Sequence, residues 1–329
     1  MINKEQKLID GIFNDDIKKV PTRDGFGHGL VEAGKADERV VVVCADLEES
    51  TRAEWFHKEF PTRFIEVGVA EQNLATVGSG LANYGKIPFI TSYATFSPGR
   101  NNEQIRTTIA LNNVPVKIAG SHAGVSVGPD GATHQALEDI GLMRMLPNMT
   151  VVVPADAEEA RKATVAIAGT NNPSYIRLGR AGSPAFTTLS SPFELGRAEI
   201  LWKSESPVVA LIACGALTHN ALVAAKKLQD EGVGSIVVNN HTIKPMDEKT
   251  IESVAKQCGA VVTIEEHQVA GGMGSAVAEF LTQTYPVPQE FIGVHDQYGQ
   301  SGTPDELWEH YKLDAKSIAA AAKRAVSRK

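Results

Sequence analysis

One acidic residue, Glu71, stands where a short apolar run gives way to a helical pattern of small side chains. Residues 64–67 predict a strand, and the glycine at position 68 predicts a tight turn into the helix. Small side chains let a flat ligand or another backbone approach closely; those that follow are Ala75, Gly78, Ser79, Gly80 and Ala82. A glutamate in a first helical turn also complements the helix dipole by about 0.3–1 kcal/mol, so this segment alone leaves a purely structural role open. We expect the Glu71 carboxylate to be buried beside another group.

Two histidines flank an aspartate in the loop at residues 121–135, namely His122, Asp130 and His134. The loop has three glycines and few apolar side chains, and loops without a packing role more often carry function. Imidazoles on either side of an Asp-Gly turn suit proton transfer near neutral pH. Metal binding is the rival chemistry, but no His-x-x-x-His or Cys-rich spacing supports it.

An aromatic loop at residues 93–100 follows another predicted strand and carries Tyr93 and Phe96 beside Gly and Pro. Aromatic rings held in such a loop can stack on a flat heterocycle. The alternative is that they close the top of a hydrophobic core, and the local sequence leaves both interpretations open.

Three arginines stand where anions are expected. Arg23 lies in the first turn of a predicted helix, where the dipole disfavours a cation unless an anion is near; a solvated surface arginine is the alternative. Arg177 and Arg180 follow the last strand of the first half, and arginine suits bidentate binding of a phosphate or sulfonate. Salt bridges to Glu138 and Asp139 are the competing interpretation.

The elements that would position these residues alternate between strand and helix, which predicts an α/β fold with parallel sheets. Thr22 is expected to cap a helix that runs to Ala36, and Val40–Cys44 predicts a strand buried on both faces. Residues 181–192 are rich in Gly, Pro, Ser and Thr and predict a linker. We therefore predict two α/β domains, at residues 1–185 and 186–329. Further strands are expected at residues 87–90, 115–119, 150–153, 174–178, 208–213, 234–238, 260–265 and 290–294.

The composition limits the function further. A chain of 329 residues is long enough for two domains of about 100–200 residues each. The net charge of −7 gives nucleic acid or an anionic membrane no electrostatic reason to bind, and no stretch approaches the roughly 18 apolar residues of a membrane span. The three scattered cysteines, Cys44, Cys214 and Cys258, predict free thiols in a reducing, cytoplasmic compartment.

Taken in order, the motifs resemble the pyrimidine-binding and C-terminal domains of the transketolase family, over nearly all of residues 22 to 322. The first half carries Thr22-Arg23, Ala45-Asp46-Leu47 with Ser50, Gly68-Val-Ala-Glu-Gln72, Ser121-His122, Asp130-Gly-Ala-Thr-His134-Gln135 and Arg180. The second half carries Lys244-Pro-Met-Asp247, Glu265-Glu266 and Gly271-Gly272-Met-Gly274. The Gly271 turn lacks the phosphate-loop patterns, so strand-to-helix packing is its expected role.

The resemblance implies thiamine diphosphate as the cofactor. Glu71 would then be the acid that hydrogen-bonds the aminopyrimidine ring, kept protonated by burial. Phe96, together with Tyr93, would stack on that ring, and Asp46 and Leu47 would line the cofactor from the same side. The cofactor itself supplies the carbanion chemistry.

The resemblance also implies the substrate contacts of a transketolase acting on sugar phosphates. His122, Asp130 and His134 would contact sugar hydroxyls, with the two histidines moving protons. Arg23, Ser50 and Arg180 would bind the terminal phosphate. The expected catalytic residues are thus Glu71, His122 and His134, and the chain itself is expected to hold no metal.

One departure from the family pattern concerns the diphosphate. The family's Gly-Asp-Gly motif, which holds the metal and the diphosphate, does not occur in this chain. The chain therefore resembles the smaller subunit of a split transketolase and should require a separate N-terminal subunit, which would hold Mg²⁺ or Ca²⁺. We expect a homodimer core within a heterotetramer, and in isolation weak cofactor binding without turnover.

Three other interpretations stay open at this point. The beta subunit of a 2-oxoacid dehydrogenase has the same two domains, although Asp130 to Gln135 and the Thr22-Arg23 start favour a sugar substrate. Deoxyxylulose-phosphate synthase is a third relative that normally carries all its domains in one chain. A non-catalytic scaffold subunit would have no need of Glu71 and both histidines. The sugar pair, and whether its charged end is a phosphate or a sulfonate, are left undetermined.

Overall fold

The computed structural model describes all 329 residues and contains two parallel-sheet α/β units, so the predicted fold class is confirmed. The strands of the first half are β1 (Lys19–Pro21), β2 (Val40–Cys44), β3 (Phe64–Glu66), β4 (Ile87–Tyr93), β5 (Lys117–Ser121), β6 (Thr150–Val152), β7 (Ser174–Arg177) and β8 (Gly182–Pro184). Its helices are α1 (Thr22–Ala36), α2 (Glu48–Thr51), α3 (Ala53–Glu59), α4 (Glu71–Asn83), α5 (Asn102–Gln104), which continues as a π-helical segment (Ile105–Ala110), α6 (Asp139–Arg144) and α7 (Ala157–Ala168).

The second half repeats this alternation. Its strands are β9 (Glu199–Lys203), β10 (Val209–Ala213), β11 (Ser235–Asn239), β12 (Thr242–Lys244), β13 (Val261–Gln268) and β14 (Gln289–Val294). Its helices are α8 (Leu217–Asp230), α9 (Glu248–Cys258), α10 (Met273–Thr284), α11 (Pro304–His310) and α12 (Ala315–Ser327). No helix of the chain combines the length and the apolar character that crossing a membrane requires.

Three sheets organise these strands. The large one has the order β12-β6-β7-β5-β4-β2-β3, and all its pairs are parallel except β12 with β6. The second has the order β14-β13-β10-β11-β9, with β9 antiparallel to β11. The small third sheet pairs β1 with β8, so part of the segment predicted as a linker is a strand.

One of the hydrophobic core clusters spans the two halves. Its 34 buried residues include Ile118 of the first sheet and Ile212 of the second, so apolar packing runs without a break between them. The second half also contributes β12 to the edge of the first sheet. The division at residues 185 and 186 stays a prediction.

Local signals explain most helix boundaries, with one correction. Asp156, Asp247 and Asp314 each accept a backbone N–H in the first turn of the helix that they precede. Thr22 does not cap α1 as expected, because Pro21 occupies the cap position. The Thr22 hydroxyl instead accepts the backbone N–H of Gly179 at 2.7 Å, which ties the start of α1 to the loop after β7.

Candidate active site

The candidate site lies at the carboxyl edge of the first sheet. Strands β2, β4, β5 and β7 are parallel neighbours, so the loops that follow them emerge side by side. Helices α1 and α4 begin at the same edge and bring Arg23 and Glu71 to it. The topology thus gathers residues that the sequence places in six separate segments.

Glu71 is the first residue of α4, and it is buried as predicted, with 2% of its surface exposed. The Arg100 guanidinium donates a hydrogen bond from Nη1 to the Glu71 Oε2 at 2.7 Å. The Asn101 side chain donates to the Glu71 backbone carbonyl at 2.8 Å, which fixes the start of the helix against the aromatic loop. In this structure an arginine therefore faces the Glu71 carboxylate, whose role as a protonated acid stays a prediction.

Four rings form a continuous group next to this pair, which we call the ring group: Tyr93, Phe96, His122 and His134. Tyr93 stacks on His122 with ring centroids 3.8 Å apart, and the Tyr93 and Phe96 rings lie nearly parallel at 6.0 Å. His134 meets Phe96 edge-on at 5.6 Å. Tyr93 and Phe96 are half-buried and belong to none of the hydrophobic core clusters. This placement favours rings that are available to stack on a flat heterocycle over rings that close the hydrophobic core.

His122 is a neutral hydrogen-bonding group in this environment. Burial, followed by the charge of Arg23, lowers the pKa of His122 to about 3. Its Nε2 lies 3.4 Å from Nη1 of Arg23 and its Nδ1 lies 2.9 Å from the Ser121 hydroxyl. Because a guanidinium only donates, Nε2 must accept and Nδ1 must carry the proton. His122 is thus uncharged near pH 7, and its tautomer is set by its neighbours.

Three arginines, Arg23, Arg52 and Arg180, lie beside His122 of the ring group, and we call them the arginine mouth. Arg23 donates to the backbone carbonyl of Ser50 at 2.8 Å, and its buried Nε has no partner. Burial and then the charge of Arg52 lower the pKa of Arg23, and Arg180 contributes to the same effect. Arg180 donates to the Val127 carbonyl at 2.8 Å, with Asp130 3.9 Å away.

Positive charge exceeds negative charge at this mouth. Arg52 donates from Nε to Asp24 at 2.7 Å, so Asp24 and Asp130 are the carboxylates that face the three guanidinium groups. Clustered guanidinium groups with a buried, unpartnered Nε favour binding of an anion. The predicted anion-binding residues Arg23, Ser50 and Arg180 thus lie together, although Ser50 contacts Arg23 through its carbonyl.

Arg177 does not join this group. Its Nε donates to Asp139 at 2.8 Å, and the Tyr175 hydroxyl donates to the same carboxylate at 2.6 Å. Arg177 is 7% exposed and Asp139 is 1% exposed. The salt-bridge interpretation is therefore correct for Arg177, whereas Arg180 faces the candidate site.

The loop that carries His122 and Asp130 is packed more tightly than expected. Residues 121–128 are buried, so the expectation that this loop has no packing role is wrong for its first part. Glu266 of the second half accepts from the Ser126 backbone at 2.5 Å and from its hydroxyl at 3.1 Å. The Gln135 amide donates to the carbonyls of Val125, Gly128 and Gln300. These bonds hold the loop in one shape.

Asp46 and Leu47 follow β2 but make no hydrogen bond to Glu71 or to the ring group. Asp46 is exposed and has φ 57°, and its N–H donates to Glu66 at 2.8 Å. Glu66 also accepts from the Gly68 N–H at 2.7 Å, so it shapes the turn before Glu71. The contact of Asp46 and Leu47 with a cofactor remains a prediction.

Sequence reasoning missed three site residues, Arg52, Glu66 and Arg100. Arg52 follows Ser50 closely, and Arg100 ends the aromatic loop, so each stood beside a motif that was recognised. Their roles depend on partners far along the chain, such as Glu71 for Arg100, and no local pattern marks such contacts.

The residues present fit a flat heterocycle better than a metal. A buried carboxylate beside half-buried aromatic rings can hydrogen-bond a ring nitrogen and support a ring face. No group of three or more His, Cys, Asp or Glu side chains is arranged to hold a metal ion.

The Gly271–Gly274 turn of the second half is a packing device, as expected. The Glu265 carboxylate accepts the backbone N–H groups of Met273 and Gly274 at 2.7 and 2.8 Å, and thereby caps α10. A side chain at Gly272 would place its Cβ 2.2 Å from that carboxylate. Glycine is therefore required where the backbone meets Glu265.

Comparisons with known proteins agree along most of the chain. The family model "Transketolase, pyrimidine binding domain" matches residues 18–184, and "Transketolase, C-terminal domain" matches residues 196–318. A "Putative transketolase C-terminal section" from Methanocaldococcus jannaschii is 41% identical, covering 90% of this chain and 93% of that protein. The "6-deoxy-6-sulfo-D-fructose transketolase subunit SqwH" of a Clostridium species is 39% identical, covering 93% of this chain and 95% of that subunit. A solved structure described as "Split gene transketolase, inactive beta4 tetramer" superimposes with a TM-score of 0.88 at 45% identity, covering 94% of this chain and 99% of that one.

Proposed function

The chain belongs to the transketolase family, and from this membership we propose that it is the C-terminal subunit of a split transketolase. With a separate N-terminal subunit it transfers a two-carbon ketol unit from a ketose phosphate to an aldose. One observation carries this proposal: the Glu71–Arg100 ion pair, the ring group and the arginine mouth follow one another along a single sheet edge.

The family depends on thiamine diphosphate, and the residues of this chain suit its aminopyrimidine ring. Glu71 would hold the ring nitrogen, Phe96 and Tyr93 would support the ring face, and Asp46 with Leu47 would line the same side. When bound, this cofactor supplies the carbon centre that carries the two-carbon unit. The diphosphate and its Mg²⁺ or Ca²⁺ are assigned to the partner subunit, because the Gly-Asp-Gly motif is not found in this sequence.

The substrate would lie between the ring group and the arginine mouth. Arg23, Ser50 and Arg180 would hold its anionic end, and His134 with Asp130 would contact its hydroxyls. His122, neutral and with Nδ1 protonated, serves as a hydrogen-bond partner of the sugar and exchanges protons through Nε2 once Arg23 turns to the anion. A phosphate and a sulfonate present similar oxygens to this mouth, and a relative acts on a sulfo-sugar.

The assembly we propose is a homodimer of this chain within a heterotetramer, located in the cytoplasm. The solved relative of 45% identity is described as an inactive beta4 tetramer, which supports both self-association and inactivity of this chain alone. The three cysteines are free and buried, in keeping with a reducing compartment.

The test is a reconstitution. The chain is purified alone and with a transketolase N-terminal subunit, and two-carbon transfer from a ketose phosphate is measured with thiamine diphosphate and Mg²⁺. We expect activity only from the pair, and a loss of at least about 100-fold in Glu71→Ala because the acid acts on the cofactor ring.

Glu103→Ala is the matched control, since Glu103 is an exposed glutamate on α5. Full activity in Glu71→Ala would remove this acid from the mechanism. Turnover of a 2-oxoacid in place of ketol transfer would instead support the dehydrogenase-type alternative. Matched phosphate and sulfonate sugars, assayed side by side, identify the preferred anion.

A further inference from the structure

Arg100 contacts both groups that the proposed function gives to the aminopyrimidine ring. Its Nη1 donates to the Glu71 carboxylate at 2.7 Å. Its guanidinium carbon also lies 5.3 Å from the centre of the Phe96 ring. One side chain thus bonds the acid and covers the aromatic surface beside it.

A guanidinium can take these two contacts because it is planar and carries N–H donors along its edge. Its flat face stacks on aromatic rings, and its edge pairs with a carboxylate. Arg100 bonds Oε2 of this carboxylate. An aminopyrimidine held by Glu71 and Phe96 would draw on the same carboxylate and the same ring, so the guanidinium and the pyrimidine would compete for both.

We propose that Arg100 is an internal competitor for the aminopyrimidine ring, which holds Glu71 and must turn away when the cofactor binds. This inference rests on the proposed function for its ligand. It identifies Arg100 as a residue that sets cofactor affinity.

The surroundings show which partner moves. Arg100 has 52% of its side-chain surface exposed, whereas Glu71 has 2%. The backbone at Arg100 is held in place, because the Arg100 N–H donates to the Phe96 carbonyl at 2.9 Å and the Asn101 side chain donates to the Glu71 carbonyl. The Arg100 side chain can therefore swing into solvent while the loop and Glu71 stay in place.

The binding experiment uses the assembled pair of subunits with Mg²⁺ and measures the equilibrium dissociation constant of thiamine diphosphate by calorimetry. We expect Arg100→Met to bind the cofactor about three- to tenfold more tightly, since the competing ion pair is lost. Arg106→Met is the matched control, because Arg106 is exposed in the same segment and pairs with no carboxylate. In the Glu71→Gln background, Arg100→Met should leave the affinity unchanged.

A second measurement tests the contact without the cofactor. Thermal unfolding of the full chain alone is followed for Arg100→Met, Glu71→Gln and the double variant. We expect Arg100→Met to lower the Tm in the wild-type background and to have no effect in Glu71→Gln.

Equal or weaker cofactor binding by Arg100→Met overturns the inference, and so does a Tm change that is the same in both backgrounds. If the wild-type pair binds no thiamine diphosphate, the proposed function fails and the competition fails with it. A weaker affinity in Arg100→Met while the wild-type pair is active overturns the competition alone, so the two failures are distinguishable.

Discussion

Arg177 and Arg180 stand close together at the end of one strand, yet their surroundings differ. Arg177 is enclosed with Asp139 and Tyr175 and also donates to the carbonyls of Ala136 and Glu266. Arg180 has 39% of its side chain exposed and only a distant carboxylate, Asp130. The same residue type therefore serves the fold at one position and the candidate site at the other.

Replacing each arginine by methionine should separate these roles. Arg177→Met leaves the buried Asp139 carboxylate without its cation, and we expect the free energy of unfolding of the full chain in urea to fall by about 3–5 kcal/mol. Arg180→Met should change it by less than about 1 kcal/mol. In the reconstituted pair, Arg180→Met should raise the KM for the sugar phosphate about tenfold. A stability loss in Arg180→Met as large as that in Arg177→Met would contradict this division.

For single residues, the sequence predicts which side chains gather at the site better than it predicts which groups they contact. The burial of Glu71 and the gathering of both histidines follow from strand order and from the small residues of the motif. The Arg100 contact to Glu71 does not follow, because it joins residues that are far apart in the chain through the fold. The pKa of His122 is likewise a tertiary effect, since burial and Arg23 lower it together.

At the scale of elements, two of the four glycines of α1, Gly25 and Gly29, are explained by its neighbour α7. A Cβ at Gly25 would lie 1.8 Å from the Ala157 carbonyl oxygen, and a Cβ at Gly29 would lie 2.6 Å from the Thr164 side chain. The two helices therefore approach so closely that one face of α1 has no room for side chains. Because α1 begins at Thr22 and Arg23, this contact also sets the position of the arginine mouth.

A methyl group on this face should act on stability and on the site together. We expect Gly25→Ala to lower the free energy of unfolding by about 1–3 kcal/mol, because α1 must move away from α7. It should also raise the KM of the reconstituted enzyme, since Arg23 moves with the helix. Gly80→Ala is the control: Gly80 lies on α4 with open space around it, and alanine there should stabilise by about 0.5–1 kcal/mol. Equal effects of the two substitutions in urea unfolding would refute the packing argument.

The alternation of strand and helix patterns in a sequence does not reveal short or antiparallel edge strands. The sequence predicted the parallel strands of both halves, but it did not predict the strands β1, β8, β9 and β12 or the helices α2 and α11. Strands β9 and β12 are antiparallel edge strands, and β12 has only three residues, Thr242–Lys244. Such a short strand exists because a distant edge, that of β6, is available to pair with it.

For the whole molecule, the second half supports the candidate site without entering it. β12 completes the first sheet, and the Lys244 ammonium donates to the carbonyls of Arg144 and Leu146. Glu266 holds the loop that carries His122 through its bonds to Ser126. Glu266 is therefore a contact between the halves, whereas Glu265 caps α10 within the second half.

A buried carboxyl, Glu159, also joins the halves. Asn239 of the second half donates to one Glu159 oxygen at 2.7 Å, and the Ala155 N–H donates to the other at 2.5 Å. Burial and then the nearby Asp156 raise the pKa of Glu159 from 4.5 to about 8. The folded chain therefore keeps this proton at a pH where the unfolded chain has released it.

The sign of the pH dependence follows from proton binding. Between pH 4.5 and about 8 the native state binds one more proton at Glu159 than the unfolded state. The contribution of Glu159 to the free energy of unfolding is therefore complete below this window. It falls as the pH rises through the window, by up to about 1.4 kcal/mol per pH unit. Glu159→Gln removes this titration, and a turn of the Asn239 amide would let its unpartnered oxygen accept from the new side chain. We expect urea unfolding at pH 5.5 to 8.5 to show a flatter profile for Glu159→Gln and greater stability than wild type at pH 8.5. Glu103→Gln, at an exposed position, should keep the wild-type profile, and an unchanged slope in Glu159→Gln would show that this carboxyl does not hold its proton in the folded chain.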